Sequence, residues 1–259
     1  MRIVRERETV SINDLAIALG VSLETIRRDV APLTEAGTLI KMHGAVSLPP
    51  DAVEAPIRIR TNENMAEKLA VARQMAARIA DGDTVMMDTG STSSLLARTL
   101  LTKKNLTIIT NSADIVGILA GHNGNSLFLA GGQVQATNLA AVGQTAIDFV
   151  SRFKVQHAII TIGGVDARLG LTDFTIAEAE FARAVLACGA ERIVVTDHTK
   201  FDKAALVKVC DLDGIDRIVT DAAPSPELAG ALRRAKVIVD IAAQMSGPPA
   251  LARRALITV

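Results

Sequence analysis

Apolar positions follow two different rhythms along this chain. Over the first fifty residues they recur at helical spacing in two short runs, and from residue 84 onward short apolar runs alternate with helical stretches. In the first run Ser11 precedes Ile12-Asn13-Asp14-Leu15-Ala16-Ile17-Ala18-Leu19, and Gly20 follows. Ser11 and Asp14 stand at capping-box spacing, with Asp in place of the usual Glu or Gln, and glycine is the residue that most readily stops a helix. A short turn leads to Ser22, which is placed to cap a second helix from Leu23 to about Ala36. Its apolar residues Leu23, Ile26, Val30 and Leu33 form one stripe, and Gly37 ends it. Pro32 lies inside this helix, where a missing hydrogen bond costs on the order of 3 kcal/mol, so a kink is expected after Arg28. The run from Thr38 to Val46 predicts two short strands turning at Gly44.

Helix, turn, helix and a two-stranded wing form a pattern that enters a DNA major groove. On the second helix Arg28 projects almost opposite the apolar stripe, Thr25 and Arg27 flank it, and Ser22 sits at the start. Arginine bridges a phosphate or takes the two acceptors of guanine, and hydroxyls serve backbone or base. Lys41 and His43 would lie on the wing near the phosphates. The same spacing also suits a small helical packing module whose arginines are merely solvated.

Residues 47–60, with Pro49, Pro50 and Pro56, have few periodic apolar positions and predict a semi-rigid linker between a domain of residues 1–46 and one of residues 61–243, followed by a tail, 244–259. A helix is expected from about Asn62 to Ala80. Strands are expected at Thr84–Asp88, Leu106–Thr110, Ser126–Ala130, His157–Ile162, Arg192–Thr196, Arg217–Thr220 and Lys236–Asp240. Strands separated by helical patterns predict an α/β domain with a mostly parallel sheet, whose ligands bind at the carboxyl ends of the strands.

One such end is Asp88-Thr89-Gly90-Ser91-Thr92-Ser93, between an apolar strand and a helix expected over Ser94–Leu101. Free backbone N–H groups and hydroxyls converge there on the positive end of a helix dipole, which suits a phosphate. Ordinary capping by Ser91 or Thr92 is the competing explanation. Asn111, Ser112, Gly132, Gly164, Asp166, Gly170, Thr172 and Lys200 stand in polar or Gly-rich clusters at or after other strands. Each cluster alone is a turn, whereas their recurrence suggests one shared pocket. Lys200 would meet a phosphate there, and Asp88 and Asp166 would take sugar hydroxyls. Glu178, near the start of a helix over Ile176–Cys188, is either a surface acid complementing the dipole or a pocket acid.

Lys and Arg total 28 and so do Asp and Glu, so DNA binding must rest on local placement of charge. Residues 1–46 are themselves balanced, six basic against six acidic. Trp and Tyr are absent, which removes the stacking platform of single-strand binders. Cys188 and Cys210 lack metal-ligand spacing and the four histidines are scattered, so neither metal nor cofactor is expected. No apolar stretch reaches the roughly 18 residues of a membrane span, and the charged N-terminus lacks a signal-peptide core, so a cytoplasmic protein is expected.

The segment Val21-Ser22-Leu23-Glu24-Thr25-Ile26-Arg27-Arg28-Asp29, with Glu35-Ala36-Gly37 and His43-Gly44-Ala45-Val46, closely resembles the DNA-binding signature of the DeoR family of bacterial transcription regulators. That resemblance implies DNA contact by Ser22, Thr25, Arg27 and Arg28. Only about ten residues precede Ser11, so the family's full first helix is expected to be cut to a turn or two. The later clusters resemble the family's effector domain and, more distantly, ribose-5-phosphate isomerase. In that enzyme a Thr-Gly-Ser-Thr turn and a lysine hold the sugar phosphate, and the matching positions are Thr89 to Thr92 and Lys200. Its paired acids in Asp-Gly-x-Asp become Gly163-Gly164-Val165-Asp166 here, so a pocket that binds without turnover is expected. The implied protein is a homo-oligomer, dimer or tetramer, that represses a carbohydrate operon by binding a double-stranded operator under control of a phosphorylated sugar. The alternative is a sugar-phosphate isomerase with a vestigial DNA-binding head.

Overall fold

The computed structural model describes residues 3–4, 9–35, 39–42, 44–47 and 54–243. The chain divides into two compact units, residues 1–54 and 55–259. His43, the tail and residues 48–53 of the expected linker lie outside the described residues, as does most of the segment before Ser11.

In the first unit, strand β1 (Thr9–Ser11) runs directly into helix α1 (Ile12–Leu19). The Ser11 side chain accepts the Asp14 N–H at 2.9 Å, and Gly20 closes the helix in the left-handed conformation that its φ of 66° requires. Helix α2 (Leu23–Glu35) follows after three residues, and strands β2 (Ile40–Met42) and β3 (Ala45–Ser47) turn at Gly44. β1 pairs with β3, giving the antiparallel order β1-β3-β2. The core is Val4, Val10, Leu15, Ala16, Ile26, Leu39 and Val46, with Val30 and Leu33 packed against it.

Two expectations change here. Leu23 is 42% exposed, so the buried stripe of α2 starts at Ile26. α2 also continues past Arg28 and through Pro32 to Glu35. Pro32 and Arg28 lie on the exposed side, where water can satisfy the Arg28 carbonyl left without its N–H.

The second unit opens with a short helix, α3 (Ile57–Arg60), inside the segment expected as linker, and α4 (Met65–Arg78). Its main sheet contains strands β4 (Thr84–Met87), β5 (Thr107–Thr110), β6 (Ser126–Leu129), β9 (Val155–Ile160), β12 (Gly189–Val195), β14 (Arg217–Thr220) and β15 (Ile238–Ile241). All seven run parallel in the order β15-β14-β12-β9-β4-β5-β6. They are the seven strands expected from the apolar runs, with ends moved by one or two residues, apart from a three-residue extension of β12 to Gly189.

Alternating side chains of these strands feed two cores. Met86, Ala158, Ile160, Val194 and Ile218 face helices α7 (Gln144–Val150), α8 (Ile176–Cys188) and α9 (Pro226–Arg234). Val85, Met87, Ile159, Val195 and Val219 face α4, α5 (Ser91–Leu100) and α6 (Ala113–Leu119). Burial on both faces explains the apolar runs Val85–Met87, Ile108–Ile109, Ala158–Ile160, Ile193–Val195 and Ile218–Val219 of the inner strands. Among the described residues no helix is long and apolar enough to cross a membrane.

Five short strands complete the unit. β7 (Gln133–Gln135) and β8 (Ala140–Val142) form a hairpin, while β10 (Gly164–Asp166), β11 (Gly170–Asp173) and β13 (Val207–Cys210) form a small antiparallel sheet. These strands take up Gly-rich clusters that were expected as pocket loops.

Candidate functional sites

On the first unit, Ser22 is the cap of α2: its Oγ accepts the Thr25 N–H at 3.1 Å and lies 2.9 Å from the Thr25 hydroxyl. Arg27 and Arg28 are exposed on the next turn, and Arg27 pairs loosely with Glu24 at 3.6 Å. Lys41 is exposed on β2. Hence α2 presents two hydroxyls and two guanidinium groups to solvent, while Ile26, Val30 and Leu33 anchor its opposite side.

The second site lies where the parallel strands end. Asp88 follows β4, Asn111 and Ser112 follow β5, Thr161 follows β9 and Asp197 follows β12 after one residue. The Asp88 carboxylate is buried; both oxygens accept the Thr161 N–H at 3.0 Å, and Oδ1 also accepts the Ser93 hydroxyl at 3.3 Å. Burial pushes its carboxyl well above the ordinary range despite these donors, and the negative charge of Glu178 pushes the same way.

Helix α5 starts at Ser91, three residues earlier than expected, with Gly90 as its cap residue and no side chain bonded to its first amides. Ser91 and Thr92 therefore belong to the first turn and cap nothing, which removes the competing explanation of simple capping. Both are buried, as are Ser93 and Ser94. The Thr89 hydroxyl donates to the Asn138 carbonyl at 2.8 Å and lies 3.5 Å from Ser112 Oγ. Asn111 Nδ2 donates to the Ala141 carbonyl, and its buried Oδ1 has no partner among the described residues.

Thr175 caps α8, and Glu178 returns to it: the Thr175 hydroxyl accepts the Glu178 N–H at 3.2 Å and donates to Oε2 at 2.8 Å. The other oxygen of Glu178 accepts Asn138 Nδ2, so the acid is half-buried on the pocket side and not a surface acid. Lys200 lies 5.4 Å above the ring of Phe174. Burial lowers the pKa of Lys68, on α4, and its charged neighbours are Asp197, Arg60, Lys200 and Glu63, so two further cations and two acids surround this ammonium.

The structure thus brings together Asp88, Thr89, Gly90, Ser91, Thr92, Asn111, Ser112 and Glu178, and adds Thr161, Asn138, Arg60 and Lys68, which carry no local sequence signal. Other expected residues serve the backbone. Asp166 accepts the Arg168 and Leu169 N–H groups at 2.8 Å within its own turn and lines an open surface groove with Arg168 and Glu227. Gly170 has a φ of 79°, and a Cβ there would stand 2.4 Å from the Cys210 carbonyl oxygen. Gly164 likewise faces the Lys203 carbonyl, and the Thr172 hydroxyl accepts the Ala205 N–H at 2.8 Å. Gly132 begins the β7–β8 hairpin against the Val142 carbonyl.

A winged helix-turn-helix unit joined to an α/β unit with a buried polar site at its strand ends defines a two-part transcriptional regulator. A model of the DeoR-like helix-turn-helix domain matches residues 1–51, and one of the DeoR C terminal sensor domain matches residues 63–222. The chain belongs to the DeoR family. It is 31% identical over 224 residues to the Glycerol-3-phosphate regulon repressor of Escherichia coli, covering 86% of this chain and 89% of that protein. Transcriptional repressor AccR of Agrobacterium fabrum is 35% identical over 223 residues, 85% of this chain and 86% of its own. The transcriptional regulator IolR of Bacillus subtilis is 30% identical over 212 residues, 82% and 84%. Among solved structures, ribose 5-phosphate isomerase A of Methanocaldococcus jannaschii superposes with a TM-score of 0.39 and 17% identity, covering 54% of this chain and 55% of that one.

Proposed function

We propose that this protein is a cytoplasmic repressor of a carbohydrate operon whose grip on its operator is set by a phosphorylated sugar bound at the strand ends of the α/β unit. One observation carries the choice of ligand: the first turn of α5 is buried, rich in hydroxyls and free of any side-chain cap. Its amides and hydroxyls suit a dianionic phosphate, and Arg60, Lys68 and Lys200 supply positive charge nearby. Asp88 and Glu178 suit the hydroxyls of the sugar. Ser22, Thr25, Arg27, Arg28, Lys41 and His43 form the operator contacts, in a homo-oligomer whose paired heads read repeated half-sites. Relatives named as repressors, one of them of a glycerol-3-phosphate regulon, support this reading.

The test is fluorescence-anisotropy titration with duplex DNA from upstream of the gene and with a shuffled duplex, at two salt concentrations. A panel of ribose 5-phosphate, glucosamine 6-phosphate, glycerol 3-phosphate and inorganic phosphate is then added. Preference for the upstream duplex, changed by a sugar phosphate and not by inorganic phosphate, is the expected result. By linkage the effective compound must bind the free protein and the operator complex with different affinities. Turnover of a panel member, abolished in Glu178→Ala, would instead make the protein an enzyme.

A further inference from the structure

We infer that Asn138 is the positioning residue that couples occupancy of the Thr89–Ser93 turn to residues 55–60, the segment with which the α/β unit begins. The inference rests on the ligand site proposed above and concerns how its occupancy leaves the pocket.

Asn138 is buried, and its backbone carbonyl and both side-chain polar atoms are committed in different directions. Its backbone carbonyl accepts the Thr89 hydroxyl at 2.8 Å, on the turn that faces the ligand. Its side-chain Nδ2 donates to Glu178, and its Oδ1 accepts Arg60 Nη2 at 2.7 Å. A side-chain amide carries its acceptor and its donor on separate atoms, so it serves a guanidinium with one and a carboxylate with the other. Rotating it by half a turn would set NH2 against guanidinium and oxygen against carboxylate, so Arg60 and Glu178 together fix one orientation.

The consequences on the far side follow from the backbone. Arg60 Nε donates to the Ala55 carbonyl at 2.6 Å, and Lys68 Nζ donates to the Arg60 carbonyl at 2.7 Å. The Ile57 N–H donates to the Thr137 carbonyl at 3.0 Å, next to Asn138. On the near side, the Ala113 N–H donates to the Leu139 carbonyl and the Ala141 N–H to the Asn111 carbonyl. Residues 137–141 are therefore stitched to the end of β5 on one side and to residues 55–60 on the other. A ligand that draws the Thr89 hydroxyl or Glu178 toward itself removes a pocket-side partner of Asn138, and Arg60 then feels the displacement of its acceptor. Residues 55–60 directly follow, in the chain, the unit that carries α2.

Hydrogen exchange on the full chain, with each panel compound, tests the coupling. In the wild type, the compound that slows exchange over residues 88–94 is expected also to slow it over residues 55–61. In Asn138→Ala the first response persists and the second is lost. The same compound's effect on operator affinity falls from about tenfold or more to within about twofold of none. Arg60→Gln, which cuts the same link at the guanidinium and is compared with wild type at saturating compound, is expected to uncouple the two regions in the same way and guards against misfolding of the first variant. A wild type in which residues 88–94 respond and 55–61 do not would overturn the coupling and leave the ligand site standing. So would retention of both responses in the two variants. No response at 88–94 to any compound would overturn the ligand site and the coupling with it.

Discussion

Gly90 and Thr161 meet so closely that a Cβ on residue 90 would stand 2.4 Å from Thr161 Oγ1 and 2.7 Å from its Cγ2. The φ of Gly90 is 169°, extended backbone open to any residue, so the demand for glycine here is one of space. Thr161 cannot easily retreat, because its N–H holds Asp88 and its hydroxyl donates to the Thr89 carbonyl at 3.0 Å. Gly90→Ala is expected to cost about 1–3 kcal/mol, the usual range for overpacking a close contact. Urea titration followed by circular dichroism measures it, and the double variant Gly90→Ala/Thr161→Ala should recover part of the loss. Additive losses would show that the two positions do not interact.

Asp88 should make stability depend on pH in an unusual direction. Burial holds its carboxyl well above the ordinary aspartate value, so the folded chain keeps this proton more tightly than the unfolded chain. Between the unfolded value of about 3.9 and the raised folded one, stability falls as pH rises. Asp88→Asn cannot ionise, so it is expected to be more stable than the wild type at about pH 8 and to lose that advantage as pH approaches 4. Circular-dichroism melts across that range check the sign, which a carboxylate stabilised by its partners would reverse.

What the sequence makes legible follows from how local each signal is. Strand segments buried on both faces are apolar, so β4, β5, β9, β12 and β14 stand out through runs such as Val85-Met86-Met87, while the edge strands β6 and β15 keep apolar residues that are partly exposed, Phe128, Leu129, Ile238 and Ile241. By contrast β7, β8, β10, β11 and β13 have only three or four residues, among them Gly164-Val165-Asp166 and Gln133-Val134-Gln135, and exist through their pairing partners. β1 is hidden for the same reason, since Thr9-Val10-Ser11 becomes a strand only against β3. In the pocket, Thr89 to Thr92 and Asn111-Ser112 are legible because they follow apolar strands. Arg60, Lys68 and Asn138 are not, because only the tertiary fold brings a helix end, a helix face and a hairpin loop to the same place. Asp166 shows the reverse case: an acid matched by resemblance to a catalytic one spends its carboxylate on its own turn.

The two arginines of α2 should differ in what they do to DNA binding. Arg28 projects opposite the buried stripe, whereas Arg27 lies on a flank and pairs with Glu24 across 3.6 Å of exposed surface. Arg28→Ala is expected to weaken binding to the operator by about 10–100-fold with little change for a shuffled duplex, as loss of a base contact does. Arg27→Ala should weaken both duplexes alike and reduce the salt dependence by about 0.9 of a logarithmic slope, the signature of one lost phosphate contact. Anisotropy titrations at several salt concentrations separate the two, and equal effects on both duplexes from both variants would refute the assignment.

Pro32 offers a gain in stability at little functional cost. The residue is the tenth of thirteen in α2 and is exposed, so nothing in the core depends on its ring. Alanine would restore the N–H to the Arg28 carbonyl and remove a penalty of up to about 3 kcal/mol for proline in a helix interior. Proline also restricts the unfolded chain, which offsets roughly 0.4–1 kcal/mol of that gain. Pro32→Ala is therefore expected to stabilise the first unit by about 1–2 kcal/mol, read as slower exchange of the α2 amides in the full chain. Ser22, Thr25, Arg27 and Arg28 all precede the proline, so operator affinity should change by less than about threefold, well under the effect of losing one base contact. A large change in affinity with faster exchange would mean instead that the helix depends on the proline to aim its first two turns.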